Sequence, residues 1–258
     1  RDMGGSLLLG GAARALRDST WLAVGLHAQG NTLKLEATSD GKQADPSGLL
    51  AFAAPQKPGQ GALPNLDVPR RIAAMSFYRD LHGFYAAKDE LFPERTSGLI
   101  FFENMMGIFF TGRDLTEEVL GELGPEVRVV VTEQKYDPAI GTPQLQIPAF
   151  AMIFRLKNPD KFAVVVEEAW QKALGLVNFT RGQQAQPGLI IDRPVQGDTK
   201  FTMAYFSAPP EKDKEAVDSR YNFSPSLARQ GQFMILCSTQ GLARDLIDAV
   251  KKETAEQV

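Results

Sequence analysis

Residues 97–131 read SGLIFFENMMGIFFTGRDLTEEVLGELGPEVRVVV, the densest run of large apolar side chains in the chain. The first part, from Leu99 to Phe110, is an almost continuous apolar block that is too short and too interrupted to cross a bilayer. A helix that is apolar on all sides is typical of a protein interior. The block therefore predicts a buried helix at the centre of one large core.

The second part of the same stretch predicts a short helix followed by a strand. Asp114, with Glu117 three residues later, has the pattern of an N-cap with its capping-box partner, which predicts a helix over residues 115–123. Gly124-Pro125 ends that helix. Residues 126–134 are rich in β-branched side chains and alternate, which is typical of a strand with one buried face.

Outside this stretch, predicted strands and helices follow one another in an irregular order. Residues 21–29 and 32–38 alternate around Gly30-Asn31 and predict a hairpin, and further strands are predicted over residues 71–77, 147–156 and 232–238. Amphipathic helices are predicted over residues 78–91, after Asn158-Pro159 and after Thr239, which is the predicted cap of the last of them. This order favours an α+β fold, with an antiparallel sheet or sheets and helices packed on one face, over a doubly wound parallel sheet.

Length and composition exclude several classes of protein. A chain of 258 residues with 43% hydrophobic content suits a single α+β domain over residues 1–258, or two fused halves, residues 1–134 and 135–258. With 28 basic and 31 acidic residues and no basic stripe, we expect no nucleic-acid partner. No transmembrane segment is predicted. A chain that begins at Arg1 is expected to be a mature product or a piece of a longer protein.

Three stretches combine a strand and a helix with no reactive group at their centre. They are LTEEVLGELGPEVRVVV at residues 115–131, MIFRLKNPDKFAVVVEEAW at residues 152–170 and ARQGQFMILCSTQGLARDLIDAV at residues 228–250. In these stretches the chain, from about residue 94 to residue 252, resembles the bacterial exported proteins of the domain of unknown function 3352 family. The resemblance implies an α+β fold and an exported, periplasmic or cell-envelope location. That family has no established activity, so the resemblance implies none.

Motifs for nucleophilic, phosphate and metal chemistry are missing from the sequence. It has no G-x-S-x-G, P-loop, H-E-x-x-H or C-x-x-C pattern. Its two histidines, His27 and His82, are far apart in the chain, and a zinc site would need carboxylates to complete it. Cys237 alternates with Phe233 and Ile235, which predicts a buried thiol on a strand. We therefore predict no metal and no cofactor.

One group of polar residues merits a site hypothesis. Glu103 and Asn104 interrupt the apolar block, where an ionised carboxylate without partners would cost several kcal/mol if buried. If the polar residues before and after the block converge on them, they form a polar pocket beside a phenylalanine-rich wall, as in many small-ligand sites. The predicted binding residues are Arg79, Glu103, Asn104 and Arg113. The alternative interpretation is an ion pair that ties two helices together.

Two main functional hypotheses follow. The first is a non-enzymatic, exported or envelope-associated protein that binds a partner protein or a small apolar ligand through its sheet face or its long Pro/Gly loops. The second is a hydrolase that uses general acid/base chemistry from Asp80, His82 and Glu103, which would have to lie within reach of one substrate. A third, a structural or assembly module, would present a self-complementary apolar patch.

Overall fold

The computed structural model describes residues 19–30, 32–40, 55, 57–91, 97–209 and 217–256. The chain divides into two compact units. The first unit comprises residues 1–61 and 78–95, and the second comprises residues 62–77 and 96–258.

In the first unit, the structure describes a hairpin and two short helices. Strand β1 (Leu22–Gln29) pairs antiparallel with β2 (Thr32–Ser39), and Gly30 turns the chain with a φ of 57°. Glycine adopts this left-handed conformation without steric cost, so the predicted hairpin is confirmed. The helices are α1 (Leu81–Ala86) and α2 (Lys88–Leu91), and Phe84 and Tyr85 of α1 are buried.

The second unit is built on a seven-stranded antiparallel sheet. The strands of this unit, in chain order, are β3 (Arg71–Tyr78), β4 (Leu123–Thr132), β5 (Ala149–Leu156), β6 (Ile190–Asp192), β7 (Val195–Gln196), β8 (Thr199–Lys200), β9 (Thr202–Tyr205), β10 (Ser226–Gln230) and β11 (Phe233–Cys237). The order across the sheet is β3-β4-β5-β11-β10-β9-β6, and β7 and β8 form a separate ribbon. The predicted α+β class and antiparallel sheet are confirmed.

The helices of the second unit are α3 (Ser97–Phe109), α4 (Pro159–Gln183) and α5 (Gln240–Glu256). Between α3 and β4 lie a π-helical turn (Leu115–Val119) and a 3-10 turn (Leu120–Glu122). The predicted N-cap is confirmed, since Asp114 Oδ1 accepts from the Glu117 amide at 2.7 Å. The return bond comes from Glu118, whose Oε2 accepts from the Asp114 amide at 2.8 Å. The wider π-turn places Glu118, and not Glu117, next to the cap.

The two long helices pack against opposite faces of the sheet. Successive residues of a strand point to opposite faces. Ala228 and Ile235 belong to the core that α5 covers, whereas their neighbours Leu227 and Met234 belong to the core that α4 covers. The expectation that the helices lie on one face is therefore wrong. Strands that are apolar on both faces, such as β11, require cover on both sides.

Helix α3 lies at the edge of a core and not at its centre, so the prediction of a fully buried helix is also wrong. Leu99 is 5% exposed, but Phe101 and Ile108 are 67% and 70% exposed. The helix contacts α4 and the π-helical turn, and Phe110 just beyond it packs into the core under α4. An apolar composition does not specify how many sides of a helix find partners.

The sheet contains two similar hairpins, each followed by a helix. Hairpin β4–β5 is followed by α4 and hairpin β10–β11 by α5, and the second strands of the two hairpins pair antiparallel in the middle of the sheet. The β10–β11 hairpin closes tightly at Gly231, which has a φ of 58°. The β4–β5 hairpin instead closes through the long loop of residues 133–148, which we call the cavity loop.

Candidate ligand-binding cavity

A cavity of about 620 Å³ lies in the second unit at one end of the sheet. Its wall includes Thr132 at the end of β4, Ala149 at the start of β5 and Thr239 just before α5. This volume is within the range of about 300–1,000 Å³ that is usual for small-molecule sites.

Aromatic side chains contribute much of the cavity wall. The rings belong to Tyr136, Tyr205, Phe206, Tyr221 and Phe223. Phe206 and Tyr221 meet edge to face, with centroids 6.3 Å apart and an angle of 74° between the ring planes. Two guanidinium groups hold Phe206, because Arg181 lies 4.8 Å and Arg220 lies 5.5 Å from its centroid. This part of the wall is thus fixed by cation–π and aromatic contacts.

The cavity also carries charges of both signs, and its two arginines are already engaged by the protein. Arg70 pairs with Asp245 at 2.9 Å. Arg244 donates to Gln196 Oε1 at 3.0 Å and lies 5.2 Å from the ring centroid of Phe201. The remaining charged side chains of the wall are Glu133, Lys135, Asp137 and Asp192. An amphipathic ligand, with an apolar body and a polar group, suits such a surface.

Arg70 has a backbone conformation that is unusual for a residue with a side chain. Its φ is 56°, in the left-handed region. Such a conformation costs on the order of 1–3 kcal/mol and persists only where the surroundings hold it. Here the Arg70 carbonyl accepts from the Glu133 amide at 2.9 Å, and the pair with Asp245 holds its side chain.

The N-terminus of α5 forms another part of the wall. Thr239 Oγ1 accepts from the Leu242 amide at 3.3 Å, which confirms the predicted cap. Ser224 Oγ accepts from the Gln240 amide at 2.9 Å. Two of the free amides of the first turn are therefore satisfied by protein side chains.

Asn222 ties the cavity loop to the 3-10 turn Ser219–Asn222 and is only 1% exposed. Its Oδ1 accepts from the Tyr136 hydroxyl at 2.8 Å and from the Ile147 amide at 2.9 Å. Its Nδ2 donates to the carbonyls of Leu145 and Ser219, both at 2.8 Å. Burial raises the pKa of Tyr136 above its ordinary value, so its hydroxyl stays protonated and able to donate.

The cavity wall contains carboxylates, a lysine and tyrosines, which are groups that acid/base chemistry can use. Among the described residues that line it there is no histidine and no cysteine, and the hydroxyl of Ser224 is engaged by the Gln240 amide. Within the described part of the chain, no group of three or more His, Cys, Asp or Glu side chains is placed to hold a metal ion.

The predicted site residues of the first unit lie in or just before α1. Asp80 is the N-cap of α1, and its Oδ1 accepts from the Gly83 amide at 2.9 Å. Arg79 is 4% exposed, lies 5.7 Å from the ring centroid of Phe84, and has a pKa that burial lowers. His82 lies half-buried in the first turn of α1.

The other predicted site residues lie in the second unit. Glu103 is half-buried on α3 and Asn104 is exposed there. Arg113 Nη1 donates to the Phe110 carbonyl at 3.1 Å, just beyond the end of α3. Glu103, Asn104 and Arg113 are not among the described residues that line the cavity. Convergence of Arg79, Glu103, Asn104 and Arg113 on one ligand, and of Asp80, His82 and Glu103 on one substrate, stays a prediction.

The sequence predicts one element of the cavity wall but not its partners. Residues 136–146 contain Pro138, Gly141 and Pro143, which predicts a loop, and long loops within a compact fold often carry function. The partners of this loop come from β9 and from the turn before β10, more than 50 residues away. Asn222 begins Asn-Phe-Ser, which matches a glycosylation pattern, but nothing in the local sequence indicates that its buried side chain makes four hydrogen bonds.

Comparison with known proteins found no match for the chain among family models, curated proteins or solved structures. The resemblance to the domain of unknown function 3352 family therefore stays a prediction. None of the helices in the described ranges has both the length and the apolar character needed to cross a membrane.

Proposed function

We propose that this protein is a non-enzymatic binding protein that holds a small, partly apolar ligand in the cavity at the end of the sheet. The observation that carries the proposal is the cavity of about 620 Å³ with its aromatic wall and oriented polar groups. A ligand with an aromatic or branched apolar body would contact Tyr205 and Phe223, and its polar group would meet the charged rim. Burial of the apolar body would supply most of the affinity.

We propose further that the protein works in an exported or envelope-associated setting. The support for this location is the resemblance of residues 115–131, 152–170 and 228–250 to exported bacterial proteins. Fractionation of the native cells, with an antibody against the protein, tests the location. Recovery in the cytosolic fraction would contradict it.

Titration with N-phenyl-1-naphthylamine, a neutral fluorescent aromatic amine, tests the cavity directly. We expect saturable binding at one site. Ala139→Trp places a large ring in the cavity wall and should weaken binding at least tenfold. Ala255→Trp is the matched control, because Ala255 is exposed near the end of α5 and does not line the cavity.

Three outcomes would overturn the proposal. The first is the absence of saturable probe binding. The second is equal binding by the two tryptophan variants, which would place the probe on an exposed apolar surface such as that of Phe101. The third is turnover in a broad hydrolase screen that disappears in His82→Ala or Glu103→Ala, which would support the acid/base alternative. Native mass spectrometry of the purified protein should reveal any bound natural ligand.

A further inference from the structure

We propose that Asn222 is the positioning residue of the cavity, which determines ligand affinity by holding the cavity loop in place and not by contacting the ligand through its amide. The inference rests on the proposed binding function. Asn222 belongs to the cavity wall, yet it is only 1% exposed.

The side-chain amide of Asn222 is saturated with hydrogen bonds. A side-chain amide has two donor hydrogens and an acceptor oxygen with two lone pairs. Asn222 uses all four, with Tyr136 and Ile147 on its oxygen and Leu145 and Ser219 on its nitrogen. No capacity is left for a ligand, so any effect of this side chain on binding must act through the groups that it holds.

The hydrogen-bond partners of Asn222 include residues in both arms of the cavity loop. Tyr136, Leu145 and Ile147 lie near the two ends of the cavity loop, so one side chain fixes both of its arms. Gln134 adds to this by donating to the Ile147 carbonyl at 2.5 Å and to the Asn222 carbonyl at 3.1 Å. The loop has no secondary structure of its own beyond turns, so these bonds must supply its order.

The segment that begins at Asn222 is also hydrogen-bonded to the opposite wall of the cavity, at the start of α5. Two residues later, Ser224 accepts from the Gln240 amide at the start of α5 and donates its own amide to the Ser238 carbonyl at 2.9 Å. Residues 222–224 thus join the cavity loop to the helix N-terminus. The distance between the two walls, and with it the fit of a ligand, depends on this short segment.

The experiment compares Asn222→Ala with Leu227→Ala by probe titration and hydrogen exchange. Leu227 is 7% exposed and lies in the core under α4, away from the cavity, so its truncation controls for a general loss of stability. We expect Asn222→Ala to weaken binding of N-phenyl-1-naphthylamine at least tenfold and to speed amide exchange in the cavity loop at least tenfold. Leu227→Ala should change neither quantity by more than about twofold under native conditions.

Two further variants add a readout that a general structural role would not produce. Tyr136→Phe removes one of the four bonds, and Asn222→Asp keeps the acceptor oxygens but loses the donors to Leu145 and Ser219. We expect Tyr136→Phe to bind the probe with affinity between those of the wild type and Asn222→Ala, whereas Asn222→Asp should bind no better than Asn222→Ala because it buries a carboxylate oxygen against two carbonyls. Tyr136→Phe should have no further effect in the Asn222→Ala background, because the shared bond is already lost.

The outcomes separate this inference from the proposed function. If the wild type binds the probe and Ala139→Trp blocks binding, but Asn222→Ala binds as the wild type does, the positioning role is wrong and the binding function stands. If no protein binds the probe, the proposed function fails. The hydrogen-exchange measurement then still tests the inference. If amides of the cavity loop exchange no faster in Asn222→Ala than in Leu227→Ala, the positioning role is wrong.

Discussion

Arg128 and Glu253 lie 125 residues apart in the chain and meet in a bidentate ion pair between β4 and the last turn of α5. Arg128 Nη1 donates to Oε2 at 2.9 Å and Nη2 donates to Oε1 at 2.8 Å. Arg128 is 2% exposed and lies 5.2 Å from the ring centroid of Phe233. The C-terminal helix is therefore joined to the sheet by a buried charge pair as well as by its apolar face.

Loss of Glu253 should destabilise the second unit strongly. Glu253→Ala leaves the Arg128 guanidinium buried without its counter-charge, which we expect to lower the free energy of unfolding by about 3–5 kcal/mol. Urea denaturation monitored by circular dichroism measures this value. Lys252→Ala is the matched control on the neighbouring exposed position and should change it by less than about 0.5 kcal/mol. Equal effects from the two variants would contradict the importance of the pair.

The thiol of Cys237 should be inert in the folded protein. Cys237 lies on β11 at 7% exposure, and burial raises the pKa of its thiol. The thiolate, which is the reactive form, is therefore suppressed. We expect reaction with Ellman's reagent to be slow in buffer and rapid in denaturing urea. Rapid labelling of the native protein would show that β11 is accessible.

The same raised pKa predicts a loss of stability in alkaline solution. The unfolded thiol ionises above about pH 8.5, whereas the folded thiol stays protonated, so the unfolded state binds fewer protons there. The contribution of Cys237 is fully present below that pH and falls by about 1.4 kcal/mol for each further pH unit. Urea denaturation of the wild type and of Cys237→Ala between pH 7 and pH 10 measures it. The stability of the wild type should fall more steeply, and parallel profiles would contradict the prediction.

Asp80 should prove to be a helix cap. Asp80→Ala removes the acceptor for the Gly83 amide and should destabilise α1 by about 1 kcal/mol, with faster amide exchange in residues 81–86. Asp80→Ser should restore protection, because serine is also a good N-cap. A hydrolytic activity that both variants abolish, with α1 protected in Asp80→Ser, would instead identify Asp80 as an acid/base group.

The two sides of α3 should respond differently to truncation. Leu99→Ala removes a buried side chain and should lower the free energy of unfolding by about 2–5 kcal/mol. Phe101→Ala acts on the exposed side and should change it by less than about 0.5 kcal/mol. Thermal and urea denaturation of both variants provide the comparison. An equally large loss for Phe101→Ala would mean that another surface covers this side of the helix.

Local patterns were sufficient for most elements of the fold but not for all. The hairpin around Gly30, the strands β3, β5 and β11, and the helix that begins at Pro159 all have strong short-range signals, and the structure contains each of them. The predicted helix over residues 78–91 is split into α1 and α2. The SLARQ sequence of β10 has no clear alternation, so it does not predict a strand. This strand is held in place by its pairing with β9 and β11.

The sequence by itself determined the α+β class, the antiparallel sheet, the caps at Asp114 and Thr239 and the buried Cys237, because each depends on periodicity or hydrogen bonding within a few residues. Only the tertiary structure decided which faces the helices cover, that one side of α3 stays exposed, and that a cavity forms at the end of the sheet. These features depend on contacts between residues that are far apart in the chain, such as Tyr136 and Asn222. A local sequence pattern contains no information about such contacts.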